Sequence, residues 1–180
     1  MTAQNGDIRL RAIEYEDIEQ LRKWRNEFKD NFRQFRYITR REQERWYDNM
    51  LRDTNCLHFA VDVWDMGWTL VGSANLSHID WLNRHAESGL YIGAPEWRRR
   101  GIGMKAMIAL HRIAFEELNM NTMRGEAFAF NPVLEFDKQF GLKEVGRYRE
   151  AHFYKGRFYD TVLMDMTRDE WDALYGGQEE

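Results

Sequence analysis

The chain has 180 residues, the size of one domain that buries a sizeable core without disulfides or metals as staples. Its formal net charge of -4 argues against a general nucleic-acid binder, whose phosphate contacts need a basic field. One cysteine, Cys56, cannot form an internal disulfide. No apolar run reaches the roughly 18 residues of a membrane span, and no charged-then-apolar leader follows Met1. A soluble cytoplasmic protein that binds neither nucleic acid nor membrane is the expectation.

In chain order, residues 1–6 read as a flexible lead and Asp7 to Ile13 alternates polar and apolar residues as a first strand. Glu16 and Asp17 open a helix with Ile18, Leu21 and Trp24 on one face and Arg22, Lys23 and Arg25 toward its negative end. From Asp30 to Ile38 the periodicity lapses while aromatics and arginines remain. Two readings stand for this loop: a cap on the core, or an acceptor-binding wall in which Phe32, Phe35 and Tyr37 give flat contact and Arg33 and Arg36 hold an acidic part of a substrate. Thr39 followed by Glu42 is a capping box that starts a second helix through Trp46 and Met50. Leu57 to Val63 and Trp68 to Ser77 read as two strands around a turn at Gly67. Cys56 borders the first of them, where packing is a plainer role than nucleophilic chemistry. Asp80 to His85 is a polar return into a third strand, Glu87 to Gly93.

The stretch Glu-Trp-Arg-Arg-Arg-Gly-Ile-Gly ending at Gly103 follows that strand and opens a helix predicted over Met104 to Leu118. A glycine turn there leaves the helix's first N–H groups unpaired, so an anion can approach bare backbone, with Arg98, Arg99 and Arg100 adding positive charge. The alternative is a tight turn with a solvated arginine collar. Neither the P-loop ending nor the dinucleotide fingerprint fits. Beyond it, Thr122 to Phe130 reads as a strand, Asn131-Pro132 starts a short helix that Gly141 ends, and Leu142 to Tyr154 with Arg157 to Met166 forms a final hairpin through Lys155-Gly156. A last capped turn runs from Thr167 to Tyr175, leaving 176–180 as a flexible tail of a single domain over 1–180.

Arg98-x-x-Gly101-x-Gly103 after a strand resembles the acetyl-CoA pyrophosphate loop of the GNAT acetyltransferases. Trp24-Arg25-Asn26, Ala86-Glu87, Ala114 to Leu118, Asn131, Phe140-Gly141-Leu142, Gly146 to Arg149 and Gly156 to Asp160 resemble the RimJ/RimL-type branch in the same order. The resemblance implies an α+β fold with a central, mostly antiparallel six- to seven-stranded sheet and helices on both faces. It also implies acetyl-CoA as cofactor and no metal. Cofactor contacts would come from Leu90, Tyr91 and Ile92 along the strand, from Arg98, Arg99, Arg100, Gly101, Ile102, Gly103 and Met104 at the loop, and from Asn131 and Lys138. Trp24, Arg25 and Asn26 would join Phe32, Arg33, Phe35 and Arg36 around the acceptor.

Acetyl transfer to an amine needs a fixed donor, an uncharged nitrogen and a stabilised thiolate. Glu87 is the first candidate for the base, the alternative being an ordinary strand carboxylate. His78 and His85 lie nearer the turn, whereas His152 in the last hairpin could face the acceptor. The tyrosine that many family members use to protonate the thiolate is replaced by Asp137, with Phe136 beside it, so Tyr148, Tyr154, Tyr159 or water would substitute. The arginines among the aromatics point to an amine that carries phosphate or carboxylate, such as an amino-sugar nucleotide. A protein N-terminal α-amine, a polyamine and a non-catalytic acyl-CoA-binding module are the alternatives. Seven tryptophans leave room for a homodimer surface.

Overall fold

The computed structural model describes residues 2–29 and 36–176. Eight strands form one sheet: β1 (Ala3–Asn5), β2 (Ile8–Ala12), β3 (Leu57–Trp64), β4 (Trp68–Asp80), β5 (His85–Ile92), β6 (Thr122–Phe128), β7 (Lys143–Tyr154) and β8 (Arg157–Thr167). Their spatial order is β1-β2-β3-β4-β5-β6-β8-β7. Every neighbouring pair is antiparallel except β5 and β6. The count exceeds the expected six or seven because the lead predicted to be flexible is not loose. Ala3–Asn5 pairs with Ile8–Leu10 around Gly6, whose φ of 62° makes the turn.

Five helices cover the sheet: α1 (Ile18–Glu27), α2 (Arg40–Met50), α3 (Ile102–Arg112), α4 (Val133–Phe140) and α5 (Arg168–Tyr175). The alternation of the first strand buries Ile8 and Leu10 completely, and α1 lays Ile18, Leu21 and Trp24 into the same core. The Thr39 capping box forms with both reciprocal hydrogen bonds, and an identical device at Thr167 and Glu170 starts α5. The helix predicted to run to Leu118 stays α-helical only to Arg112, then widens into a π-turn over Ile113–Glu117. Behind it, Phe115 stacks on Trp171 at 5.4 Å and Phe140 on Tyr175 at 5.3 Å, which ties α3, α4 and α5 together.

Trp24, expected at the acceptor, is instead a core residue, 7% exposed. Its indole rests on the backbone of Gly93, where an added Cβ would stand 2.1 Å from Trp24 Cδ2. A bulky aromatic on the buried stripe of an amphipathic helix is claimed by the core before it can serve a ligand.

Candidate active site

The site begins with a failure of pairing. β5 and β6 pair only through His85, Ala86 and Glu87 against Thr122, Met123 and Arg124, and then diverge. Past that apex β5 still pairs with β4 and β6 with β8. Ser88 to Ile92 therefore present a strand edge that β6 does not satisfy, ready for an extended ligand to add itself as a strand. A cavity of about 660 Å³ fills the opening, lined by Leu90, Tyr91 and Ile92 on one side and by Gly125, Asn131, Phe136 and Asp137 on others.

At the far end of the cleft the chain turns into α3. Arg99 (φ 59°) and Gly101 (φ 79°) are both left-handed, and Gly101 is the N-cap with no side-chain cap. The first intrahelical bond runs from Lys105 N to Gly101 O at 3.2 Å. The N–H groups of Ile102, Gly103 and Met104 precede it and point out of the helix, where its partial positive charge adds to theirs. Nothing lies within 4 Å of where a Cβ on Gly101 would be. Ile102 itself is buried and Met104 packs on the core, so these two can act only through backbone.

Of the three arginines, Arg98 is used otherwise than expected. It donates to Ile92 O and Gly93 O, both at 2.9 Å, and stacks 3.9 Å over Phe28. It is a clamp that ties the turn to the end of β5, while its edge lines the cavity. Arg100 lies 5.1 Å over the Trp97 ring. Asn131 lines the cavity, and its Oδ1 accepts from Val133 N at 3.0 Å where α4 begins. Lys138 is turned to solvent and pairs with Glu135 at 3.2 Å, away from the lining.

Glu87 sits at the apex, on the face it shares with Gly89 and Tyr91, and lines the cleft. Its Oε2 lies 2.6 Å from His78 Nδ1. That contact depends on an irregularity: the β4–β5 register shifts between Ser77 and Asp80, and His78 adopts φ 50°. A bulge of this kind re-aims a side chain, here toward a carboxylate that regular alternation would not have reached. In the sequence His78 ranks below Glu87 for its nearness to the turn. No local signal marks it out, since β4 also carries Ser73, Asn75, Ser77 and Asp80.

Tyr148 and His152, the other catalytic candidates, do not join the site. The last hairpin inserts β8 beside β6 and sends β7 to the sheet edge, two strands from the cleft. Tyr148 is exposed there, and His152 stacks on Phe128 at 3.6 Å. Tyr154 and Tyr159 belong to the same edge cluster around Phe130.

A second cavity, of about 540 Å³, opens on the α1–α2 side of the sheet. It shares Arg25, Asn75 and Tyr91 with the first, so the two meet across these residues. Asn75 reaches over Gly89, whose missing Cβ would stand 2.5 Å from Asn75 Oδ1. Arg25, Arg36 and Arg45 line this cavity against Glu42 and Asp53. Glu42 is already engaged by Thr39 and by Arg36 at 3.6 Å. His58 is held neutral, burial lowering it to about 4, with Cys56 Sγ 3.1 Å from its Nε2 and Trp46 edge-on. Burial pushes the Cys56 thiol up to about 11, so it is no nucleophile. Asn26 does not face a ligand: it brackets Ile38, donating to its carbonyl at 2.9 Å and accepting from its N–H at 2.7 Å. Phe32, Arg33 and Phe35 lie outside the described residues.

An open strand edge, a phosphate-ready helix start and a carboxylate–histidine pair at the head of the cleft define an acyl-transfer enzyme of the kind that adds a thioester donor to its own sheet. Residues 7–133 match the acetyltransferase (GNAT) domain family, and the chain belongs to it. It is 24% identical over 173 residues to YokL, an uncharacterized N-acetyltransferase derived from the SPbeta prophage of Bacillus subtilis (strain 168), spanning 94% of this chain and 95% of that one. It is 31% identical over 106 residues to YdaF of the same organism, named for a ribosomal N-acetyltransferase activity, spanning 58% and 57%. In structure it resembles spermidine N-acetyltransferase from Vibrio cholerae in complex with CoA and spermine, with a TM-score of 0.86, 24% identity, and 93% and 99% of the two chains covered. A dodecameric form of that enzyme aligns with a TM-score of 0.79 at 23% identity over 97% and 100%.

Proposed function

We propose that this chain transfers an acetyl group from acetyl-CoA directly to a primary amine of a small molecule whose far end is anionic, an amino-sugar nucleotide having the fitting chemistry. The observation that carries this reading is the junction at Arg25, Asn75 and Tyr91, where a donor cleft and an arginine-bearing acceptor cavity meet. The cofactor fits the residues present: β5 from Ser88 to Ile92 would hold the pantetheine arm, and the N–H groups of Ile102, Gly103 and Met104 the pyrophosphate. Bound there, acetyl-CoA supplies an activated acetyl carbon and a thiolate leaving group. Glu87 removes the proton that the amine must lose, and His78 steadies the carboxylate and connects it to solvent, being 76% exposed in its side chain. The β5 edge also offers backbone N–H groups to polarise the acetyl carbonyl.

Gly101→Val tests the donor half. A β-branched residue resists φ 79° at a cost of about 1–2 kcal/mol, and with open space around it the strain, not a clash, is the effect. The variant should stay folded while the helix start relaxes and the N–H groups lose their aim. The rise in unfolding midpoint that saturating acetyl-CoA gives the parent should vanish. An unchanged rise would remove the loop from the cofactor site.

The acceptor half is tested by Arg36→Ala combined with Arg45→Ala, assayed by thiol release over a panel of amines. For an amine bearing phosphate, KM should rise by about tenfold or more, as expected for a lost charge-assisted hydrogen bond, with kcat moving less. A polyamine as the best substrate would instead assign the cavity's work to Glu42 and Asp53. A peptide α-amine as the best substrate would favour the reading suggested by the likeness to YdaF. Acetyl-CoA binding with no turnover on any amine would make the chain an acyl-CoA-binding module.

A further inference from the structure

We propose that the carboxyl group of Asp137 is the acid that protonates the departing sulfur, an inference that rests on the acetyl-transfer reading above. Asp137 stands on α4 in the wall of the donor cleft, with Phe136, Met107, Gly125 and Leu142 among its lining neighbours. It is 8% exposed, and among the described residues its carboxyl has no hydrogen-bond or ion-pair partner. Its backbone is fixed, since its carbonyl accepts from Gly141 N at 3.1 Å and Leu142 N at 2.9 Å where Gly141 ends the helix. A buried carboxyl without a partner is costly unless it carries a proton. Burial accordingly moves it up to about 6. Besides Asp137, the titratable groups that line the same cleft are Arg25, His78, Glu87, Tyr91, Arg98 and Glu126. On its own helix Glu135 and Lys138 are spent on each other at the surface. None of these offsets the effect of burial on Asp137. A ligand filling the cleft removes the remaining water and favours the protonated form further.

The alternatives are placed or engaged elsewhere. Tyr148 and His152 are on the far side of β8, Tyr91 stands on β5 at the junction with the second cavity, Asn131 carries only an amide whose oxygen accepts from Val133 N, and Phe136 has no proton to give. Asp137 gives its proton to sulfur as the carbon–sulfur bond breaks with its electron pair on sulfur and the carbon–nitrogen bond forms. Glu87 takes the proton that the amine loses. Exchange with water through the open cleft returns both groups to their starting states.

The test is Asp137→Asn, nearly isosteric and unable to donate an acidic proton, with Asp137→Glu as the conservative partner. With the phosphate-bearing amine, kcat should fall about 100-fold in Asp137→Asn, within the range for a general acid. Both KM values should stay within about threefold, and the alkaline fall of kcat should disappear. Asp137→Glu should recover part of the rate. A second readout needs no turnover: thiolate absorbance of bound CoA across pH. Beside the Asp137 carboxylate a second negative charge is disfavoured, so the bound thiol should ionise about one pH unit higher in the parent than in Asp137→Asn. A kcat within threefold of the parent overturns the proposal. So does a fall in kcat with the thiol titration unmoved, which would make Asp137 structural. If the parent itself fails to hold CoA, the acetyl-transfer reading fails, and that result is distinct from either of these.

Discussion

Glu87→Gln should lower kcat by about 10²- to 10³-fold, the range in which a positioned general base contributes, while acetyl-CoA binds as before. The argument rests on what the surrounding structure does to hold this one carboxylate. Glu87 is the last residue of β5 to pair with β6 before the two strands part, so the carboxylate stands at the head of the cleft. The β4 bulge forces His78 into a left-handed conformation, a strain of order 1–3 kcal/mol that persists only where neighbouring structure requires it. The return on that strain is the 2.6 Å contact with Glu87. Glutamine keeps the size and a hydrogen bond but cannot accept the amine's proton. The variant should therefore work only on amine that arrives already neutral. Its rate should climb about tenfold per pH unit toward the amine's own ionisation, near 10.4 for a lysine-like amine, and the deficit against the parent should shrink accordingly. Steady-state rates across pH decide it. A kcat within threefold of the parent at neutral pH would return Glu87 to the class of ordinary strand carboxylates.

The contrast between Glu87 and the other catalytic candidates marks how far local pattern carries. The strand alternation of DIRLRAI, the capping boxes at Thr39 and Thr167 and the glycine stop at Gly141 were all legible, because each is decided by residues a few positions apart. So was the anion-ready turn, since Gly101 and the open start of α3 depend on the same short stretch. Strand order is another matter. Whether the final hairpin puts Tyr148 and His152 at the cleft or at the edge is settled by which of its two strands pairs with β6, and β8 does so from Thr161 to Thr167. No local spacing encodes that choice. The bulge that presents His78 was equally hidden: the sequence ends the strand at Ser77, whereas β4 runs on to Asp80 and only its register against β5 exposes the extra residue. Trp24 and Arg25 show the same limit within a helix. Adjacent in sequence, one enters the core and the other lines both cavities, because 100° of helical rotation separates them. Asp137 was noticed for what it replaces; its burial, which gives it chemistry, came from the packing of α4.

Gly93→Ala should destabilise the protein by about 3 kcal/mol or more, at the upper end of what overpacking costs. The added Cβ would stand 2.1 Å from Trp24 Cδ2, 2.3 Å from Cε3 and 2.5 Å from Cγ. Those are atoms of a rigid indole that the core holds on its other side, so no rotamer change relieves the overlap. Either α1 shifts or the end of β5 does. In a domain of this size each kcal/mol moves the midpoint by about 2–4 °C, so a drop of roughly 6–12 °C is expected in a thermal scan. Trp24→Leu combined with Gly93→Ala should cost less than the sum of the two single changes, since the leucine removes the atoms that the methyl strikes. Strict additivity, or a Gly93→Ala midpoint within 2 °C of the parent, would mean that the contact is slack. The consequence reaches the donor site. Gly93 N and Ala94 N both donate to Val71 O, at 2.8 and 3.0 Å, and Gly93 O receives the Arg98 guanidinium. The residue that Trp24 presses upon is thus the joint between the cofactor strand and the turn that starts α3. Where the folded fraction of Gly93→Ala persists at low temperature, its affinity for acetyl-CoA should also be reduced, because moving that joint moves Arg98 and the N–H groups of α3 with it.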